Sequence, residues 1–193
     1  RFNLDYKLSD KLDLAFDLNF RREVRQQPAA LTNLTREAYR LQPLFTAIND
    51  DGTNGAGFGG GQPIGLVNSG SLNETISGYF RGLIKATYRP FNNFSIAATY
   101  APQFLDRDRD DFSAQYTYYE SSGANPQLSG SNNLFKETFT TFQDNFNLIA
   151  NWDKDFGGHS VSALAGYEFL KFNSEIWSAS RQGFALSDYR GLD

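Results

Sequence analysis

The densest group of ionisable side chains is Asp106, Asp108, Asp110 and Asp111, interleaved with Arg107 and Arg109. Carboxylates two apart on an extended strand share a face, and hard cations take oxygen ligands of that kind. The interleaved arginines would partly neutralise such a site, so the stretch reads as a solvated, self-paired loop. Asn49-Asp50-Asp51-Gly52 faintly resembles a calcium loop. The bidentate acid required six residues after the glycine is missing, because position 58 is Phe, and a turn is the better reading. Gly55-Ala56-Gly57-Phe58-Gly59-Gly60 matches GxGxxG. No strand directly precedes it and Pro63 blocks an immediate helix, so the dinucleotide context fails and a flexible loop is expected.

His159 is the single histidine and cysteine is absent, which leaves a transition-metal site without a second soft ligand. Ser160 and Ser162 are close to it, yet no strained nucleophile turn of the GxSxG kind is present. The chain is therefore expected not to be an enzyme and to need no cofactor. Tyr116, Tyr118 and Tyr119 form the remaining cluster. Their ring faces suit stacking on sugars or peptides, and they equally suit packing one loop on another. They are the candidate substrate-binding residues.

The composition narrows the classes. Aromatic residues make up 16% of the 193 residues, with 18 Phe, 10 Tyr and 2 Trp. Mean hydropathy is -0.50, too polar for a helical membrane protein. No stretch approaches the roughly 18 consecutive apolar residues of a membrane helix. A membrane barrel stays open, because only alternate residues of its strands face lipid. The net charge of -4 and the scattered Lys and Arg argue against a nucleic-acid partner, which needs a basic patch.

The elements that would position any site are strands. Phe2, Leu4, Tyr6 and Leu8 alternate with Arg1, Asn3, Asp5 and Lys7. After a turn at 9–11, Leu12, Leu14, Phe16, Leu18 and Phe20 alternate with polar residues and Ala15. The pattern returns with Phe80, Ile84, Ala86 and Tyr88, a turn at 90–93, and Phe94, Ile96, Ala98 and Tyr100. It returns again with Phe142, Phe146, Leu148, Ala150 and Trp152, broken by Asp144 and Ile149, then a turn at 154–158 and Val161, Ala163, Ala165, Tyr167 and Phe169. Three hairpins are expected, at about 1–22, 78–101 and 139–172. Each strand is close to the ~10 residues that cross a bilayer at a tilt.

Long connections are expected at about 24–77, 102–134 and 173–193, with a short helix from the spacing of Leu31, Leu34, Ala38 and Leu41. Compact soluble domains rarely carry structureless loops of ~50 residues. Membrane barrels do so on one side only, and here short and long connections alternate strictly. Tyr88, Phe91, Phe94, Trp152 and Phe156 lie near short turns, while Phe20, Phe80, Tyr100, Phe104 and Phe142 lie near the far strand ends. Two such bands fit the interfacial girdles of a barrel. The competing reading of a β-sandwich needs tight turns every 8–12 residues.

The hairpin at 1–22, Gln42-Pro43-Leu44 after a short helix, Asp51-Gly52-Thr53, Asn92-Asn93-Phe94-Ser95-Ile96 and Gly166-Tyr167-Glu168 together resemble SusC-like TonB-dependent transporters of Bacteroidetes. The resemblance runs over nearly the whole chain as pattern and short phrases. It implies a bacterial outer-membrane protein with a barrel of about 22 strands, an N-terminal plug and a TonB box. It also implies pairing with a SusD-like surface lipoprotein and import of a glycan or peptide. Neither plug nor TonB box is visible in this sequence.

The expected fold is thus all-β: about six antiparallel transmembrane strands of a larger barrel, with long extracellular loops and lipid around the wall. The expected function is a transporter segment. Two alternatives are a soluble secreted β-protein that binds glycans through exposed aromatics, and a structural or adhesive barrel segment.

Overall fold

The computed structural model describes residues 1–29, 31–57 and 63–183. The fold is all-β and antiparallel. Its strands are β1 (Phe2–Ser9), β2 (Leu12–Pro28), β3 (Leu72–Phe91), β4 (Phe94–Tyr100), β5 (Gln103–Ser113), β6 (Thr117–Tyr118), β7 (Gln127–Leu128), β8 (Asn133–Phe156) and β9 (His159–Gln182). Two helices, α1 (Leu31–Arg40) and α2 (Pro63–Asn68), lie between β2 and β3.

The main sheet runs β1-β2-β3-β4-β8, with β9 on β8 and β5 paired to both β8 and β3. β4 and β5 therefore occupy one strand position, in line. The Ala101 N–H donates to Asn145 O (2.8 Å) on the β8 side, and Pro102 O accepts from the Gly82 N–H (2.9 Å) on the β3 side. Proline has no N–H to return, which interrupts the ladder without ending it. The order is a meander of six strand positions in which sequence neighbours pair.

The strands outrun the hairpin bounds read from alternation. β2 continues to Pro28, β3 starts at Leu72, β8 starts at Asn133 and β9 continues to Gln182. The outer part of β2 is extended but polar on both faces apart from Val24, so it carries no period-two signal. The short turns are tighter than expected, at Asp10-Lys11, Asn92-Asn93 and Gly157-Gly158. Gly157 and Gly158 both have positive φ, 47° and 95°, which a two-residue hairpin of this kind requires.

The chain divides into two compact units. The first comprises Arg1–Glu23, Ser77–Arg107 and Phe139–Ile176. None of its described hydrophobic side chains is buried. Phe2, Leu4, Phe91, Leu148, Leu164 and Phe172 all lie exposed. The second comprises Val24–Ile76, Asp108–Thr138 and Trp177–Asp193. It holds a small core of Phe112, Ala114 and Leu134, and Leu134 is the one large side chain fully buried among the described residues.

Candidate functional site

Strand register decides which side chains share a face. Directly opposed residues of an antiparallel pair point the same way. Phe2, Leu4 and Tyr6 oppose Leu18, Phe16 and Leu14, while Asn3, Asp5 and Lys7 oppose Asp17, Ala15 and Asp13. Across β3, β4 and β8 the rows are Ile84–Tyr100–Phe146, Ala86–Ala98–Leu148, Tyr88–Ile96–Ala150 and Phe91–Phe94–Trp152. The other face carries Lys85–Thr99–Asn147 and Thr87–Ala97–Ile149, with Ser95 beside Asn151. Along β1, β2, β3, β4 and β8 the first unit thus has one apolar and one polar face, as the alternation predicts, whereas β9 carries apolar residues on both.

The two residues that break the β8 pattern are explained by the same register. Ile149 falls on the polar face, beside Ala97. Asp144 falls on the apolar face, where the Tyr100 hydroxyl donates to its Oδ1 at 2.6 Å. On the polar face charges are mostly paired. Arg1 holds Asp17 at 3.1 Å and Arg89 holds Asp13.

The apolar face carries an aromatic row at each end. Phe91, Phe94 and Trp152 oppose one another at the short turns, and Phe156 packs on Trp152 with ring centroids 6.2 Å apart. Counting two residues on from Gly82 and Pro102, and three from Ala101 and Asn145, puts Phe80, Phe104 and Phe142 side by side at the other end. All three are exposed.

The acidic stretch at 106–111 is not the loop expected from its charges. It lies in β5, where alternation puts Asp106, Asp108 and Asp110 on one face and Arg107, Arg109 and Asp111 on the other. Within the second unit Thr138 donates to Asp108 (2.7 Å), Lys136 pairs with Asp110 (3.2 Å), Arg109 pairs with Asp111, and Asn73 donates to Asp111. Each partner lies on a neighbouring strand or on β5 itself. Charge interleaving is thus also what a two-faced polar strand looks like.

Tyr116, Tyr118 and Tyr119 lie together in the second unit, all half-buried. The rings of Tyr116 and Tyr118 are 6.4 Å apart, tilted by 54°. Tyr118 pairs with Gln127 between β6 and β7. The Tyr119 N–H donates to Asn54 O (2.9 Å), and Gly55 forms a parallel bridge with Tyr119. This segment is therefore tied to the turn at 49–55. Gly55 has no room for a side chain, since a Cβ there would sit 1.9 Å from the Thr46 carbonyl oxygen. Gly55→Ala should cost about 1–3 kcal/mol locally. Hydrogen exchange at the Tyr119 N–H should accelerate, and unchanged protection would show that the two loops do not depend on each other.

The turn at 49–52 closes with the Gly52 N–H on Asn49 O (2.9 Å) and Gly52 at φ 83°. Asp51 accepts from the Thr53 hydroxyl (2.6 Å), the Thr53 N–H (3.0 Å) and the Gly123 N–H (3.4 Å). The Thr53 hydroxyl foremost, then its N–H, hold the Asp51 carboxyl below the usual range. A depressed carboxyl stabilises above its unfolded pKa and loses that contribution as pH falls through the folded value. The clip is complete at neutral pH and loosens in acid.

Pro63 does not block a helix; it opens α2. Proline is well suited to a first helical position, where its missing N–H is no loss. The helix is only six residues long, and residues 58–61 of the glycine run lie outside the described residues. His159 is the first residue of β9 and is exposed. Among the described residues its side chain makes no hydrogen bond with Ser160 or Ser162.

No protein-family model matches the chain. The chain is similar to TonB-dependent receptor P26 of Formosa agariphila, with 28% identity over 184 residues. The match covers 91% of this chain and 18% of that receptor, so the chain spans less than a fifth of its relative's length.

Proposed function

We propose that the chain is a wall segment of a TonB-dependent outer-membrane transporter that imports a large nutrient, a glycan or a peptide. The observation that carries this reading is the two-faced sheet of the first unit. Its apolar face has no core to bury it, and a large contiguous apolar surface on a soluble monomer is rare. Phe80 and Phe91 stand eleven residues apart on β3. At ~3.4 Å per residue that is about 37 Å of strand, which at a tilt of ~45° covers about 26 Å, close to the apolar band of an outer-membrane barrel. The similarity to a TonB-dependent receptor supports the same reading.

In this reading the apolar face meets lipid and the aromatic rows sit at the two interfaces. The two-residue turns are periplasmic, and the connections at 29–71 and 114–132 are extracellular. The SusC-like phrases of the sequence support a SusD-like lipoprotein at that outer surface, with TonB engaged through other parts of the full-length protein. Tyr116, Tyr118 and Tyr119 are then outer-loop residues within reach of substrate, and the segment has no catalytic role.

Topology supplies the test. Protease added to intact cells that express the full-length protein should cut within 29–71 and spare the turns at Asp10-Lys11, Asn92-Asn93 and Gly157-Gly158. Cutting confined to those turns would reverse the orientation. Recovery of the protein from the soluble fraction as a monomer without detergent would overturn the reading.

A further inference from the structure

The polar face of the first unit holds a hollow of about 150 Å³ whose lining includes Tyr79 and Arg81 on β3, Gln103 on β5, Thr141 and Gln143 on β8, and Phe172 on β9. We propose that this hollow is a subsite for an acidic sugar, read through Arg81. The inference rests on the transporter reading above, which turns this face toward the lumen.

Four features set the ligand's chemistry. First, Arg81 is exposed and has no ion-pair partner among the described residues. A guanidinium presents a rigid fork of donors that fits a carboxylate or a sulfate in bidentate fashion. Second, no Asp or Glu lines this hollow. Two other hollows carry aspartates, Asp108 and Asp110 in one, Asp5 and Asp13 in the other. An anion meets no repulsion from the lining here. Third, Arg21 lies over the Tyr79 ring, 4.6 Å from its centroid. Its charge is shared with Glu23 at 2.8 Å, which leaves Arg81 as the anion reader. Fourth, Gln103, Gln143 and Thr141 offer both donors and acceptors, the combination that hydroxyl-rich rings need. Tyr79 and Phe172 supply apolar surface for a ring's C–H face. An acidic peptide offers comparable donors and acceptors but no saccharide C–H ring face for Tyr79 and Phe172 to meet.

The oxyanion could be a carboxylate or a sulfate ester, and the probes separate them. The full-length receptor, purified in detergent, is titrated with oligogalacturonate, sulfated dextran oligosaccharide, neutral dextran oligosaccharide and oligoglutamate of similar length. At least one charged saccharide should bind about tenfold or more tightly than neutral dextran, the loss expected when one charge-assisted contact is missing. Whichever charged saccharide binds identifies the oxyanion. Arg81→Gln should remove the advantage, and Arg81→Lys should retain part of it. Equal binding of neutral dextran, or an unchanged preference in Arg81→Gln, would overturn the subsite. Oligoglutamate binding as tightly as the charged saccharides would overturn the sugar assignment. A receptor that reaches the outer membrane and is indifferent to charge rejects this inference alone. A receptor that never enters the membrane rejects the transporter reading with it.

Discussion

Arginine in place of Ala98 or Leu148 is expected to cost roughly 2–4 kcal/mol of barrel stability, while arginine in place of Thr87 or Asn147 costs much less. Ala98 and Leu148 are opposed in one row of the apolar face, midway between the aromatic rows. A guanidinium there must leave water for hydrocarbon or drag water and headgroups inward. Thr87 and Asn147 lie on the opposite face, where Lys85 and Arg89 already tolerate charge. Ile84 and Ala163 are the companion sites on the apolar side. The measurement is urea titration of the full-length protein folded into lipid vesicles, with one variant from each face at matched depth. Equal costs on both faces would show that water wets both sides, which is the behaviour of a soluble sheet.

That contrast is available because the strands within the wall were legible in sequence. Leu12 to Leu18 and Phe94 to Tyr100 alternate strictly, and the structure opposes their apolar sets as the pattern implies. Legibility ends where the physical cause of alternation ends. Alternation marks a face that meets two solvents. The outer part of β2 is polar on both faces apart from Val24, so its sequence does not distinguish strand from loop. The 106–111 stretch is the clearest case. Asp and Arg alternate there because two polar faces carry opposite charges, and nothing in the composition separates that from a loop paired with itself. The hollow around Arg81 was invisible for another reason. Its lining comes from β3, β5, β8 and β9, far apart in sequence, and only register brings them together. The tyrosine cluster was visible as a cluster, but its backbone ties to Asn54 and Gly55 depend on loop geometry that no local rule specifies.

Residues 1–193 produced alone should fail to form a stable barrel in lipid. Only helices and closed barrels span a bilayer, because each unpaired backbone group left in hydrocarbon costs several kcal/mol. The sheet has six strand positions among the described residues, and the smallest membrane barrels need eight. β1 pairs with β2 and β9 pairs with β8, and no pairing joins β1 to β9 among the described residues. Both strands are exposed along their whole length. β9 carries Val161, Tyr167 and Phe169 at odd positions and Leu164, Leu170 and Phe172 at even ones. An open strand with apolar residues on both faces is a template for edge-to-edge association. The isolated segment should therefore aggregate when refolded into detergent or vesicles and show no heat-modifiable band on a gel. Full-length protein treated the same way should show that band, with β1 and β9 each protected from hydrogen exchange by a neighbour from outside this segment. A segment that folds alone, with β1 and β9 protected by each other, would be a small closed barrel. The transporter reading would then lose its structural basis, and a self-contained binding protein would take its place.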